Sequence, residues 1–395
     1  MENEILLNSE MTESINIDKI KNKFQKLNIE TPSWGYADSG TRFNVFKQDT
    51  SAKTIFDKID DANQVNKYTG SAKSIALHIP WDDTDDWSSI KEYANEKGIE
   101  LGAVNPNLFQ DDDYKLGSLT HYDKNIRNKA ISQIKESIDI MKKIDSKVLS
   151  LWLADGTNYP GQDDFIRRKR NLEESLKEIY DYMDEDMKIL LEYKYFEPAF
   201  YHTDIHDWGM AMNLSKKLGE KAYTLVDLGH HPQGANIEQI VAILLDENEL
   251  GGFHFNNKKY ADDDLTTGSI NPYEVFLIFN EIVNFEKENH EVEIDYMVDQ
   301  SHNIKNKIEA MIQTVVEIQE LYLKSLLVDR KSLKEAQLTG DIVLAEEILK
   351  SAFKTDVRKF LMNFRESIGA YAEPLIEFRK SGYLEKVKKD RKIND

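Results

Sequence analysis

The stretch KILLEYK, residues 188–194, is an apolar run that ends in an acid and a base. Glu192 and Lys194 are two residues apart, and a β-strand projects such side chains to the same face. A short apolar run of this kind is typical of a strand buried on both faces of a parallel sheet. The polar pair at its end is either a simple ion pair or part of a site that the strand end faces.

Seven further runs of the same kind lie along the chain. They are TPSWGY (31–36), SIALHIPW (74–81), LGAVNPN (101–107), KVLSLWLAD (147–155), YTLVDL (223–228), GFHFN (252–256) and EIDYMVD (293–299). Segments with helical apolar spacing separate them, such as the one that contains Ile304, Ile308 and Met311. Eight β–α units predict a closed (β/α)8 TIM barrel, which usually takes about 250 residues. The alternative is an open doubly wound sheet, but no Gly-x-Gly-x-x-Gly motif follows the first strand.

Composition excludes several classes of protein. The chain has 395 residues, of which 40% are hydrophobic, and it contains no run of 18 apolar residues that would span a membrane. The N-terminus lacks a signal-peptide pattern and there is no cysteine, so we expect a cytoplasmic protein without a membrane partner. A net charge of −20 repels a phosphate backbone and argues against nucleic acid as a partner.

Three regions are predicted along the chain. They are an N-terminal extension (1–30), the barrel with its site (31–325) and a helical C-terminal extension (326–395). The strand-like runs stop before the last region, which holds 15 Lys and Arg against 12 Asp and Glu in an otherwise acidic chain. Its apolar helical positions, such as Phe353 and Phe360, need a surface to cover. We expect that surface to be the barrel or a neighbouring subunit, and a self-contained helical cap is the alternative.

Four successive strand ends carry a charged or imidazole side chain in an apolar context, namely Glu192, Asp227, His254 and Asp299. Each one alone more often caps a helix, pairs with a neighbour or packs in a core. In a barrel, however, all four converge at one mouth, where three carboxylates repel each other unless a cation lies between them. The sequence therefore predicts a metal site. Its mostly oxygen ligands suit Mn²⁺, Mg²⁺ or Co²⁺, with Zn²⁺ as a further alternative.

A second polar group is predicted beside the first. His230 lies just after the sixth strand, and Asp262 and Asp264 lie in an acidic loop after the seventh. Strand-like alternation would turn these two aspartates to one side of the loop. A solvated acidic loop is the ordinary interpretation, whereas a second metal, shared through Glu192, would occupy them. Two adjacent cations suit chemistry in which one fixes vicinal oxygens and the other polarises the reacting ones.

Four motifs carry a resemblance to a known family. The segments EYKYFEPAFYHTD, VDLGHHPQGANIEQIVAILL, GGFHFNNKKYADDDL and MVDQSHNIKNKIEAM resemble the L-rhamnose isomerase family, of the bacterial type with broad aldose specificity, within the xylose isomerase-like TIM barrels. The resemblance implies a structural metal bound by Glu192, Asp227, His254 and Asp299. It implies a catalytic metal bound by Glu192, His230, Asp262 and Asp264. Two divalent ions per subunit follow from it, with Mn²⁺ as the first choice.

The same resemblance implies a sugar pocket and a homotetramer. The pocket residues would be His78, Trp81, Trp152 and Lys194, with Phe43 leaning into the site of the neighbouring subunit. Without the resemblance, His78 is equally well explained as a core histidine and both tryptophans as packing residues. Aromatic faces do, however, suit the apolar C–H face of a sugar.

The predicted activity is aldose–ketose isomerisation, from L-rhamnose to L-rhamnulose, with tolerance of other aldoses. Lys194 would supply a fixed positive charge or a donor to the polarised substrate oxygen. Asp299 would lie beside the water that moves a proton between O1 and O2, and His230 is the third predicted catalytic residue. A hydride shift from C2 to C1 is favoured over an enediol route, because no carboxylate is clearly free of metal binding to act as the base.

Three other functions remain open. A ketose 3-epimerase on the same barrel would use one metal and two free acid–base carboxylates. A metal-dependent endonuclease would need a basic face, which the net charge of −20 disfavours. A sugar-binding or assembly protein would hold metals without any turnover.

Overall fold

Eight parallel strands form a closed barrel in this computed structural model, which describes residues 17–40, 45–198, 200–287, 293–301 and 304–392. The strands are β1 Ile29–Pro32, β2 Ser74–Ile79, β3 Glu100–Pro106, β4 Val148–Trp152, β5 Lys188–Glu192, β6 Ala222–Asp227, β7 Leu250–Phe255 and β8 Asp295–Val298. Each strand pairs with the one before and the one after it in the chain, and β8 pairs with β1. The predicted (β/α)8 barrel is confirmed.

A helix follows every barrel strand. The helices are α1 Ile17–Lys26, α2 Ile55–Thr69, α3 Trp87–Lys97, α4 Lys124–Ile144, α5 Phe165–Tyr182, α6 Trp208–Leu218, α7 Ile237–Asp246, α8 Pro272–Lys287, α9 Lys307–Leu326, α10 Arg330–Thr339, α11 Ile342–Lys354, α12 Arg358–Ser367, α13 Pro374–Lys380 and α14 Tyr383–Lys392. Helices α2–α9 alternate with the strands, as the sequence predicts. Side-chain caps such as Asp123, Asp207 and Asn306 accept backbone N–H groups at helix starts. They define the residue at which each loop of the mouth ends and its helix begins.

The barrel interior is filled by side chains. Ala76, Ala103, Leu190, Leu225 and Met297 form a small cluster separate from the main core. These residues lie on five different strands, so they meet inside the closed sheet, while the larger core lies between the strands and the helices. The barrel interior is therefore a packed core, and the polar side chains at the strand ends lie at the carboxyl-terminal mouth.

Two strand ends differ from the predicted runs. The run 31–36 leaves the sheet at Pro32, and Ser33–Tyr36 forms a 3-10 helix. This turn lets the Trp34 indole reach Asp299 at the mouth, where Nε1 donates to Oδ1 at 2.8 Å. The strand that contains Glu192 ends at that residue, so Lys194 does not lie one pleat further along it. Instead, the Lys194 N–H donates to the Ile205 carbonyl at 3.0 Å in a separate segment.

The C-terminal helices lie on the barrel of the same chain. Helices α11, α12 and α13 contact α9, and α13 also contacts α2. The Phe353 ring packs against Tyr273 and Phe276, with centroids 5.0 and 5.4 Å apart. Within the described ranges, no helix is long and apolar enough to cross a lipid bilayer. The boundaries at residues 30 and 325 stay predictions, and Phe43 and most of the predicted N-terminal extension lie outside the described residues.

Candidate metal and sugar site

The barrel mouth opens into a cavity of about 730 Å³. Most of the predicted site residues line it. They are His78, Trp81, Trp152, Glu192, Lys194, His230, His254, Asp262, Asp264 and Asp299. Asp227 is fully buried beneath them. The fold therefore gathers side chains from six strand ends or the loops that follow them into one place.

The first predicted metal group is assembled around His254. Glu192, Asp227, His254 and Asp299 each offer one ligand atom, and these atoms lie within 4.8 Å of one another. The Nδ1 atom of His254 is 3.2 Å from Glu192 Oε1 and 3.7 Å from Asp227 Oδ2. Although this nitrogen is buried, it has no hydrogen-bond partner among the described residues. A buried nitrogen that faces three carboxylates without a well-directed hydrogen bond to any of them fits a bound cation.

The second group is centred on His230. The ligand atoms of Asp227, His230 and Asp262 also lie within 4.8 Å of one another. The Nδ1 atom of His230 is 3.1 Å from the Tyr193 carbonyl, which can only accept, so in the neutral imidazole Nδ1 carries the proton. That leaves Nε2, which is 3.2 Å from Asp262 Oδ1, as the ligand atom.

This second group differs in membership from the set that the resemblance implies. Asp227 stands with His230 and Asp262, whereas Glu192 touches the group through its Oε1, 3.2 Å from His230 Nδ1. Asp264 lines the same cavity without belonging to either group. Burial, followed by the charge of Asp262, raises the pKa of Asp264 well above its usual range. Asp264 is therefore expected to hold its proton in the metal-free protein, and a cation bound beside it would displace that proton.

The two aspartates of the acidic loop reach the cavity through a backbone conformation that the sequence did not predict. Asp262 and Asp264 both line the cavity, and both have left-handed backbone, with φ of 49° and 46°. Asp263 is turned back on the loop, where its carboxylate accepts the N–H groups of Lys259 and Tyr260. Aspartate is one of the few residues that tolerate this backbone region. The two aspartates thus line one cavity through left-handed turns and not through strand alternation.

Three residues that the sequence did not single out donate hydrogen bonds to the carboxylates of the first group. Asn256 Nδ2 donates to both oxygens of Asp227, and the Gly229 N–H donates to Oδ1 at 2.7 Å. Trp34 fixes Oδ1 of Asp299 and leaves Oδ2 on the side of His254, 3.9 Å from its Nδ1. Such bonds orient ligands and usually matter for metal affinity. Of these residues, only Trp34 has a sequence position, directly after the first strand, that could have indicated a role at the mouth.

The charge balance of the cluster favours a cation. Burial raises the pKa of Asp227 to about 7. Burial opposes charging of the two histidines, yet Glu192 raises the pKa of His254 to about 9, and Asp227 and Asp262 raise that of His230 to about 10. Protons on two buried imidazoles thus neutralise the carboxylates when no cation does. The residues present therefore fit divalent ions with oxygen and nitrogen ligands.

Lys194 is a buried ammonium group at the edge of the cluster. Its Nζ is 2.5 Å from Asp262 Oδ2 and 2.7 Å from Glu197 Oε2, and it lies 5.0 Å from the centroid of the Trp152 ring. Burial opposes the charge, but the two carboxylates raise the pKa of Lys194, so it stays protonated. The sequence left open an ion pair between Lys194 and Glu192. In the structure Lys194 pairs with Glu197 and Asp262 instead. Glu197 carried no sequence signal, because it lies in a two-residue strand, Phe196–Glu197, of a short hairpin after β5.

Aromatic rings form the opposite wall of the cavity. The His78 and Trp81 rings stack with centroids 3.8 Å apart, and Phe109 bridges them to Trp152 at 5.1 Å. Burial lowers the pKa of His78 to about 3, so its imidazole is neutral. Phe109 lies in the loop after β3, and sequence reasoning did not select it. A neutral aromatic wall facing a charged cluster suits a molecule with an apolar C–H face and several oxygens.

A closed parallel barrel with a carboxylate–histidine cluster in an aromatic-walled mouth defines the class of metal-site (β/α)8 barrels. The profile of the xylose isomerase-like TIM barrel family matches residues 62–294. The chain belongs to this family.

The chain is also similar to individual proteins. A probable sugar isomerase of Rhizobium meliloti (strain 1021) is 42% identical over 384 residues, which cover 95% of this chain and 89% of that protein. A probable sugar isomerase of Mesorhizobium japonicum is 41% identical over 383 residues, with the same coverage. Among solved structures, an L-ribulose 3-epimerase has a TM-score of 0.57 at 10% identity, covering 79% of this chain and 98% of that one. At this identity the likeness shows the shared fold alone.

Proposed function

We propose that the protein is a metal-dependent aldose–ketose isomerase that converts L-rhamnose to L-rhamnulose and tolerates other aldoses. One observation carries the proposal: two carboxylate–histidine groups share Asp227 and meet at Glu192, beside Lys194 and an aromatic wall. The probable sugar isomerases at 41–42% identity support the general reaction. The preference for rhamnose rests on the motif resemblance. We also propose that the protein is cytoplasmic and forms a homotetramer in which Phe43 reaches the neighbouring subunit.

Two ligand sets are proposed. Glu192, Asp227, His254 and Asp299 would hold a structural ion. Glu192, His230, Asp262 and Asp264 would hold a catalytic ion, with Asp227 close by. Mn²⁺ is the first choice, with Co²⁺, Mg²⁺ or Zn²⁺ as alternatives, and a bound ion would polarise the vicinal oxygens O1 and O2 of the open-chain sugar.

The chain's own residues supply the rest of the site. The Lys194 ammonium, held by Asp262 and Glu197, can donate to a substrate oxygen as that oxygen gains negative charge. Asp299 has one oxygen held by Trp34, and the other is available to orient a water that carries a proton from O2 to O1. Hydrogen and its electron pair move from C2 to C1, so C2 is oxidised, C1 is reduced, and no external redox partner is needed. His78 and Trp81 would pack against the C–H face of the sugar.

A ketose 3-epimerase is the second candidate, because the group around His254 alone would serve a single metal. The two possible routes of the proposed isomerisation leave different isotopic marks, and the choice of substrate separates isomerase from epimerase. Metal-loaded protein is given L-rhamnose deuterated at C2, in ordinary water. A hydride shift yields the ketose with deuterium at C1, whereas an enediol route loses the label to solvent. If aldoses stay unchanged while ketoses yield C3 epimers, the protein is an epimerase and the isomerase proposal fails.

Metal affinity should rise with pH. In the metal-free protein, His254 and His230 hold protons up to pH values of about 9 and 10, and Asp227 holds one up to about 7. An ion must displace these protons, so acid weakens binding. We expect the apparent Mn²⁺ affinity to rise by about tenfold or more per pH unit between pH 6 and 8, since the slope equals the number of protons released. Calorimetric titration in buffers of different protonation enthalpy measures both the apparent Mn²⁺ affinity and the number of protons released. A flat affinity over this range would contradict the proposed ligand sets.

A further inference from the structure

One wall of the cavity is formed by the loop segment 45–53. Val45, Ala52 and Lys53 line the cavity. Apart from the two-residue strand Val45–Phe46, the segment has no regular structure. Its backbone is tied to neighbouring residues by the pairing of that strand with Ser39–Gly40 and by the Ala52 N–H, which donates to the Tyr36 carbonyl at 3.0 Å. Between these two ties, the position of the wall depends on side-chain contacts.

Asp38 binds the segment through the Gln48 N–H and the Lys53 ammonium, both at 2.8 Å, and a further contact comes from the C-terminal extension. Arg391, in the last helix α14, donates from Nη1 to the Thr50 carbonyl within the segment. Its two Nη atoms also donate to the Asp61 carboxylate at 3.0 and 2.8 Å, and Nη2 donates to the Asp57 carbonyl at 3.4 Å. Arg391 is 3% exposed and Asp61 is 0% exposed. One buried guanidinium thus joins α14, α2 and the loop segment.

Neighbouring bonds act on the same junction. The Tyr383 hydroxyl of α14 donates to Asp61 Oδ1 at 2.9 Å. Asn306, the cap of α9, donates from Nδ2 to Thr50 Oγ1 at 3.0 Å. Lys388 lies 3.5 Å from Asp49. Thr50 therefore accepts a hydrogen bond from α14 at its carbonyl and one from the cap of α9 at its hydroxyl.

A buried ion pair is an inefficient way to add stability, because desolvation of the two charges offsets much of their attraction. What a guanidinium adds is geometry, since its planar fork fixes several acceptors at once. Here the acceptors are one carboxylate on α2 and two backbone carbonyls, one of them in the cavity wall. The arrangement is suited to fixing a position.

We propose that Arg391 is a positioning residue for the sugar cavity: through Thr50 it holds the loop segment 45–53 against the barrel mouth. The C-terminal extension thereby takes part in shaping the site. The metal groups come from β5–β8 and the loops after them, which Arg391 does not touch. The effect on sugar binding rests on the proposed function, whereas the effect on the loop segment does not.

The test compares three full-length variants. Arg391→Met removes the contacts, and Arg391→Lys keeps the charge without the fork. Arg365→Met is the matched control, because Arg365 is 4% exposed and joins α12 to Gln319 of α9 at 2.9 Å, away from the segment. Hydrogen exchange measured by mass spectrometry follows peptides that cover 45–53 and the strand ends at Glu192 and His254. Steady-state kinetics with an aldose and saturating Mn²⁺ are run on the same proteins.

In Arg391→Met we expect faster exchange in 45–53 and unchanged exchange at the two strand ends. We expect KM to rise about fivefold or more while kcat stays within about twofold, the pattern of lost substrate binding. Arg391→Lys should show the same changes at smaller size, and it carries the comparison if Arg391→Met does not fold. Exchange in 45–53 equal to that of Arg365→Met, or a rise spread evenly over the barrel, overturns the proposal. If the unaltered protein converts no aldose, the proposed function fails, and the exchange comparison still decides this inference.

Discussion

Glu192→Gln should abolish both metal binding and turnover. The Glu192 Oε1 atom lies 3.2 Å from His254 Nδ1 and 3.2 Å from His230 Nδ1, so this carboxylate belongs to the first group and touches the second. An amide keeps the size of the side chain but removes the negative charge that attracts the cation. We expect kcat/KM to fall by about a thousandfold or more, because the polarising ion is lost with its ligand. Bound metal is measured by elemental analysis after gel filtration, and turnover by ketose formation.

Glu249→Gln is the matched control. Glu249 directly precedes β7, at the end of the barrel opposite the mouth, and burial raises its pKa to about 7. Its amide variant should bind metal and turn over as the unaltered protein does. Added Mn²⁺ should raise the melting temperature of the control and leave that of Glu192→Gln unchanged, because ligand binding stabilises only a protein that binds it. Full metal content and activity in Glu192→Gln would contradict the assignment.

Lys194→Met should lose turnover while keeping its metal. The Lys194 ammonium pairs with Asp262 at 2.5 Å inside the cavity, so its removal makes the cluster more negative. Metal affinity should then be unchanged or higher. We expect kcat to fall by about a hundredfold to a thousandfold, because a fixed positive charge no longer stabilises the substrate oxygen. Lys194→Arg should not restore the rate, since the larger planar fork cannot occupy the same point.

The control for this change is Lys188→Met. Lys188 opens the same strand at its other end and pairs with Asp295 at 2.9 Å. Both variants lose a buried or half-buried lysine and its ion pair, so both should lose some thermal stability. Only the Lys194 variant should lose rate at saturating metal and sugar. Near-normal kcat in Lys194→Met would remove this residue from the chemistry.

The sequence predicts the barrel well because each strand is locally encoded. Apolar runs such as KILLE are buried on both faces in a parallel sheet, and capped helices separate them. The strand-end group around His254 follows from the same pattern, since closure of the barrel forces the strand ends together. Once the fold class is known, the positions of Glu192, Asp227 and Asp299 need no further information.

What the sequence could not predict depends on contacts between distant segments. Trp34 reaches Asp299 only because the chain leaves the sheet at Pro32. The grouping of His230 with Asp227 reflects loop geometry that residue spacing does not encode. Arg391 meets Asp61 across 330 positions of sequence, and neither residue lies in a recognisable motif. Such partners show no local periodicity, so propensity and spacing cannot reveal them.

The proposed isomerase activity is tested first by turnover of L-rhamnose by EDTA-treated protein, with and without added Mn²⁺, beside Asp264→Asn. We expect ketose only when metal is present and a large loss of rate in the variant, because Asp264 is a proposed ligand of the catalytic ion. No ketose from L-rhamnose or from a panel of other aldoses, at any metal concentration, would contradict the proposed activity.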